Sequence, residues 1–266
     1  MKNLYRCSYF TVVNFFEQAI LKRKKGPSIN QFIQITPPIF SSVEHLIIGV
    51  FHPSCEENSC ELFSPTNLRK TIEKEGKNLG FETVIIPSLT HSTHVEIIDD
   101  HPPGPMNADG IITTKKRVGI AITHADCQAT FIVDTRLKTF GLIHAGWRGL
   151  FGGIYQNAIA KFIDKGSNPV DLALFIGPSL GVEASFFDHY LKEIPPKYHH
   201  LIQKNNTFDL KKIALSQFIE AGIDPKKIEI SSICTFDDTR FFSFRRSKKA
   251  GHNLQERNFS LIGFIH

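Results

Sequence analysis

The sequence predicts a single α+β domain in which three helices pack outside mixed or antiparallel sheets. Three observations carry that expectation. Most of the chain divides into short apolar runs rich in Ile, Val and Phe with turn residues at their ends, the pattern of buried strands. Only three segments combine helical spacing with start and stop signals. In the middle third, strands follow one another at hairpin distance, as antiparallel or mixed pairing allows.

In chain order, strands are expected at Ile29–Ile35, His45–Phe51, Glu82–Pro87, Val95–Asp99, Gly110–Thr114, Gly119–Thr123, Thr130–Asp134 and Phe140–Ile143. Four more are expected at Leu172–Ile176, Glu229–Cys234, Phe241–Phe244 and Asn258–Ile265. Ser64-Pro65 opens a helix over Thr66–Leu79 that Gly80 ends, because proline is tolerated in a first turn. Gly153–Asp164 places Ile154, Ala158, Phe162 and Ile163 at helical spacing and stops at Lys165-Gly166. Asp209–Ala221 repeats the pattern with Leu210, Ile213, Ala214 and Phe218, and Gly222 is its C-cap.

Residues 1–266 read as one domain, without repeat, low-complexity tract or linker. A chain of this length buries roughly 70–75% of its unfolded surface and needs no disulfides. Scattered glycines, absent heptads and 23 phenylalanines exclude collagen-like, coiled-coil and disordered classes. The apolar run Tyr9–Phe16 is broken by Asn14 and followed by Glu17, which fits neither a membrane helix nor a signal peptide. The five cysteines (Cys7, Cys55, Cys60, Cys127 and Cys234) are odd in number and widely spaced, pointing to a reducing cytoplasm. Cys55 and Cys60 have neither zinc-ribbon nor thioredoxin spacing. The net charge of +5 is mildly basic, and its clearest cluster, Lys22-Arg23-Lys24-Lys25, reads as a solvated turn. No nucleic-acid partner is expected; small anions, phosphate included, are compatible.

The chemistry concentrates in residues 119–149. One apolar strand runs into His124-Ala125-Asp126-Cys127, the next into His144-Ala145-Gly146-Trp147-Arg148-Gly149. Polar groups at strand ends are where a rigid scaffold presents side chains to a cleft. A thiolate beside an imidazole suits a Cys127/His144 nucleophile dyad, or a soft metal site for Zn(II) or Cu. A third ligand favours metal, and His91, His94 and His101 are the candidates; His91 and His94 would face opposite ways on a strand. Gly146, Gly149, Gly152 and Gly153 lead into a helix, read either as an anion cradle or as tight turns around Trp147. Arg148, and one of the adjacent Arg245 and Arg246, fit anion recognition or a structural fork.

HADC followed by HAGWRG, with ADGIITT before them and IGPSL and CT…FFSFRR after, resembles the YfiH-type family from about residue 65 onward. Its members were long labelled multicopper polyphenol oxidases or laccase-domain proteins and are now described as purine nucleoside phosphorylases. The resemblance implies a single-domain αββα sandwich and a metal, zinc or alternatively copper, held by His91, Cys127 and His144. It places aspartate at His94 and an active-site arginine on a helix, matched here by Arg69. The chain departs from the family pattern at Leu89, Ala129 and His252.

The implied activity is phosphate-dependent cleavage of adenosine, inosine, guanosine and methylthioadenosine to free base and ribose 1-phosphate, with adenosine deamination as a side activity. On that reading the metal polarises substrate or water, and Arg69, Arg148 or Arg246, with the backbone after Gly146, hold phosphate. Asp126 is a base or orients a ligand. The H-x-E…P-C-x-x-C deaminase signature is absent. The rival expectations are copper-dependent phenol oxidation, a metal-free Cys127/His144 hydrolase, and a non-catalytic metal binder.

Overall fold

A computed structural model describes residues 22–23, 31–34, 37–52, 65–100, 104–252 and 256–266. Lys24, Lys25, Cys7, Cys55, Cys60 and His101 lie outside the described residues. The elements run β1 (Lys22–Arg23), β2 (Gln31–Gln34), β3 (Leu46–His52), α1 (Pro65–Asn78), β4 (Thr83–Ile85), β5 (Val95–Ile98) and β6 (Gly110–Thr113). Next come β7 (Val118–His124), β8 (Gln128–Asp134), β9 (Phe140–Ala145), α2 (Trp147–Gly152), α3 (Ile154–Asp164) and β10 (Leu172–Ile176). The chain closes with α4 (Tyr190–Glu193), α5 (Leu210–Glu220), β11 (Ile228–Ile230), α6 (Phe244–Lys249) and β12 (Asn258–Phe264). Among the described residues, no helix is long and apolar enough to cross a membrane.

Two six-stranded sheets stack face to face, ordered β1-β2-β3-β12-β7-β4 and β11-β10-β8-β9-β6-β5. Both are mixed: β4/β7, β5/β6 and β10/β11 are parallel and the other pairs antiparallel. Strict alternation sorts side chains between layers. In β8, Ala129, Phe131 and Val133 face the other sheet, while Ile132 joins the cluster under α3 and α5. In β12, Ile262 and Phe264 point inward, and Phe259 and Leu261 pack under Leu68 and Ile72 of α1. Each such fully buried Ile or Phe contributes about 1.5–3 kcal/mol. The layers are therefore α1, sheet, sheet, and α2/α3/α5: an α+β sandwich with three long helices outside.

Three local expectations are corrected. Phe241–Phe244 is not a strand: the side chain of Asn258 accepts from the Phe242 N–H and donates to its carbonyl, in place of a strand partner. Ser243 then caps α6 through the Arg246 N–H. The expected strand Glu229–Cys234 stops at Ile230, and Cys234 makes only an isolated bridge with Ser179. The glycine-rich 147–152 stretch is a short helix, α2.

Candidate metal centre

The chain leaves the first sheet at His124, the end of β7, and enters the second at Gln128, the start of β8. The intervening Ala125–Cys127 turn crosses from one sheet to the other, so Cys127 sits at the open end of the sandwich. Asp126, in that turn, takes the left-handed conformation (φ 78°). His144 lies on β9 opposite Ala129 of β8, on the face turned toward the other sheet. The third group arrives on the loop before β5, where His91 is also left-handed (φ 57°).

These three meet. One ligand atom from each of His91, Cys127 and His144 lies within 4.8 Å of the others. The two rings stand edge to face, with centroids 5.0 Å apart. His144 is buried, Cys127 partly exposed and His91 exposed, so the cluster opens to solvent on the His91 side. Among the described residues, no other group of three or more such side chains has this arrangement.

Asp109 organises the centre. Its carboxylate, fully buried, accepts from the His91 N–H (2.9 Å), the Ser92 N–H (2.8 Å) and hydroxyl (2.7 Å), and the Thr90 hydroxyl (3.0 Å). It also takes the His144 Nδ1–H at 2.9 Å. Burial alone would raise its pKa, but the bonds from His144, Ser92 and Thr90 hold it far below the usual carboxylate range. An ionised Asp109 fixes His144 with its proton on Nδ1 and leaves Nε2 for Cys127 or a metal. It also holds the strained His91 backbone in place.

Burial would likewise raise the Cys127 thiol, yet hydrogen bonds from His144 and His91 bring it down to about 6. Burial pushes His144 down, but its bonds to Asp109 and Cys127 lift it to about 9. A thiolate flanked by two imidazoles is a soft N,N,S donor set, which fits zinc or copper. The neighbouring His124 bonds Ser260 Oγ at 3.0 Å; burial, then the charge of His144, lowers it to about 3, so it stays neutral.

The glycines after His144 act by close approach. A Cβ on Gly146 would come within 2.8 Å of the His91 ring and 3.3 Å of Cys127 Sγ. On Gly149 and Gly152 it would meet the Ser92 carbonyl and the Thr93 methyl, each at 2.8 Å. Three glycines at helical spacing therefore let α2 lie against the loop that carries His91.

The other expected residues are less gathered. His94 turns away to pair with Glu96. Asp126 accepts the Thr235 hydroxyl (2.7 Å) and the Arg245 N–H (2.8 Å), one on each carboxylate oxygen. Arg148 is exposed, its guanidinium 4.0 Å from the Trp147 ring centroid. Arg69, on α1, is held by Glu73 and the Ile86 carbonyl. Arg246 donates to the carbonyls of Thr235, Phe236 and Phe241, tying that loop together.

Two residues were missed. Asp109 stands inside ADGIITT, just before the expected strand Gly110–Thr114, and was given no role of its own. Arg257 precedes Asn258, which pairs with His124, so it lies beside the 125–127 turn. Burial lowers the Arg257 pKa while the nearby Cys127 thiolate raises it.

The fold and this donor set define a class. The family model described as multi-copper polyphenol oxidoreductase laccase matches residues 64–259, and the chain belongs to that family. Named relatives narrow the comparison. A Rickettsia prowazekii protein named purine nucleoside phosphorylase is 29% identical over 190 residues, covering 68% of this chain and 78% of the relative. One of that name from Aquifex aeolicus is 30% identical over 180 residues, covering 65% and 81%. For one from Synechocystis the match, 30% identical, spans only 64% of the relative. The crystal structure of YlmD from Geobacillus stearothermophilus superposes with a TM-score of 0.74 over 92% of this chain and 99% of that one, at 20% identity. That of Bacillus licheniformis YfiH gives 0.72 over 90% and 97%, at 22% identity.

Proposed function

We propose that the chain is a zinc-dependent purine nucleoside phosphorylase that converts adenosine, inosine, guanosine or methylthioadenosine, with phosphate, to free base and ribose 1-phosphate. Adenosine deamination is the proposed side activity. The observation that carries the reading is the His91/Cys127/His144 cluster, locked by buried Asp109, in a chain whose named relatives are purine nucleoside phosphorylases. Zinc held by those three residues supplies an open-site Lewis acid.

The remaining roles fall to the chain's own groups. Asp109 keeps Nε2 of His144 turned toward the centre and holds the His91 loop. Asp126, whose oxygens both accept bonds, acts as a positioning residue rather than a base. Arg148 and Arg257, with the backbone after Gly146, supply positive charge for phosphate. Arg69 and Arg246 are occupied by their own partners and serve mainly to hold helix and loop.

The test is base release from each nucleoside, with and without phosphate, by wild type and Cys127→Ala. Base and ribose 1-phosphate formed only with phosphate, and lost in the variant, support the reading. No release by zinc-loaded wild type sinks it. The lowered thiol of Cys127 also favours a second reading, a metal-free Cys127/His144 hydrolase. Full activity after chelation, abolished by alkylating Cys127, would select that one.

A further inference from the structure

Phe186 is a large ring left 44% exposed, although its backbone is fixed on every side. It forms a bridge with Thr207. The Ser185 carbonyl accepts the Phe208 N–H, and the Phe187 N–H donates to the Asn206 carbonyl. Its own carbonyl accepts from Arg245 Nη1 at 2.9 Å. The same guanidinium lies over the ring, 4.4 Å from its centroid, and the residue still keeps 44% of its surface exposed.

This short segment is tied to both halves of the metal centre. Arg245 hangs by its N–H from Asp126, the residue before Cys127. Phe187 packs edge to face on Trp147, three residues after His144, with centroids 5.8 Å apart. A half-exposed ring backed by a cation is thus joined, through Arg245 and through Phe187, to the residues that flank Cys127 and His144.

We infer that Phe186, backed by Arg245, is the platform on which the flat base of the substrate stacks. The inference rests on the phosphorylase reading for the identity of that base. Stacking is tolerant of base identity, because every base has a π face. A platform without a fixed hydrogen-bond code suits an enzyme that accepts several purines.

The test uses full-length protein and free adenine, a probe that needs no turnover. Trp147 is the only tryptophan in the chain, and its fluorescence reports binding beside Phe187. Phe186→Ala is expected to weaken adenine binding about tenfold or more, and Phe186→Tyr to restore it to within about twofold. Unchanged thermal midpoints establish that both variants fold. In turnover, Phe186→Ala raises KM for nucleoside by the same factor and leaves kcat and KM for phosphate within about twofold. Adenine binding by Phe186→Ala equal to wild type, or no adenine binding by wild type, overturns the platform. Binding that follows this pattern without any phosphorolysis upholds the platform and overturns only the phosphorylase reading.

Discussion

Two cysteines of this chain sit in similar places and face opposite chemistry. Cys127 and Cys234 are both free, both partly exposed, both in loops beyond strand ends, and both pressed by a glycine. Cys127 is met by His144 and His91, and the first of these is braced by a buried carboxylate. Cys234 receives only backbone N–H groups, such as Gly181 at 3.2 Å, and has the Asp237 carboxylate beside it. Burial raises both thiols; the imidazoles reverse the shift at Cys127, while Asp237 adds to it at Cys234. What makes a thiol a metal ligand or nucleophile here is the charge of its donors and what braces them, not its depth.

The largest expected effect is in the thiols themselves. In chelator-treated protein, iodoacetamide labelling of Cys127 rises through about pH 6, because the thiolate forms above that point. Labelling of Cys234 rises only above the free-thiol range of about 8.5. Peptide mass spectrometry across a pH series reads both. A shared midpoint would erase the contrast.

Asp109→Asn tests the brace. An amide cannot accept all the bonds that arrive at Asp109, and it leaves His144 without its anionic partner. We expect a loss of about 3–5 kcal/mol of stability. Metal affinity should fall about 10- to 100-fold. The Cys127 labelling midpoint should move upward while that of Cys234 stays. Thermal unfolding and zinc titration measure this; wild-type zinc affinity in the variant would remove Asp109 from the centre.

The two glycines give a matched pair. Gly146→Ala drives a methyl against the His91 ring, and Gly181→Ala drives one against Cys234, where Cβ and Sγ would each be 3.0 Å away. Both should cost about 1–3 kcal/mol through overpacking. Only Gly146→Ala should also weaken zinc binding. Equal loss of zinc in both variants would break the comparison.

His94→Ala should do least. Its exposed pair with Glu96 is worth about 0–1 kcal/mol, and zinc affinity should not change. A loss of zinc would show that His94, not His91, is the third ligand.

The strand-end motifs carrying Cys127 and His144 were legible because apolar runs ending in titratable residues signal a scaffold edge. The α+β class was legible from short apolar runs bounded by turn residues and from three helical segments, while the αββα layering came from the resemblance. Spacing left His91, His94 and His101 open; the choice came from resemblance, because the left-handed backbone at His91 is held by Asp109, 18 residues further along the chain. Asp109 itself gave no local signal, since its partners lie 17 to 35 residues away. Glycines obscured α2: their weak helix propensity argues for turns, yet the need to approach the His91 loop requires them. Phe241–Phe244 reads as a strand because it is a short run rich in phenylalanine, but an asparagine side chain supplies the ladder bonds.

The most direct measurement is phosphate-dependent base release by Cys127→Ala and Cys234→Ala, assayed side by side on zinc-loaded, folded protein. Cys234→Ala should keep wild-type release and Cys127→Ala should have none above background. Release that survives in Cys127→Ala, or is lost equally in both, would contradict the assignment of the centre to His91, Cys127 and His144.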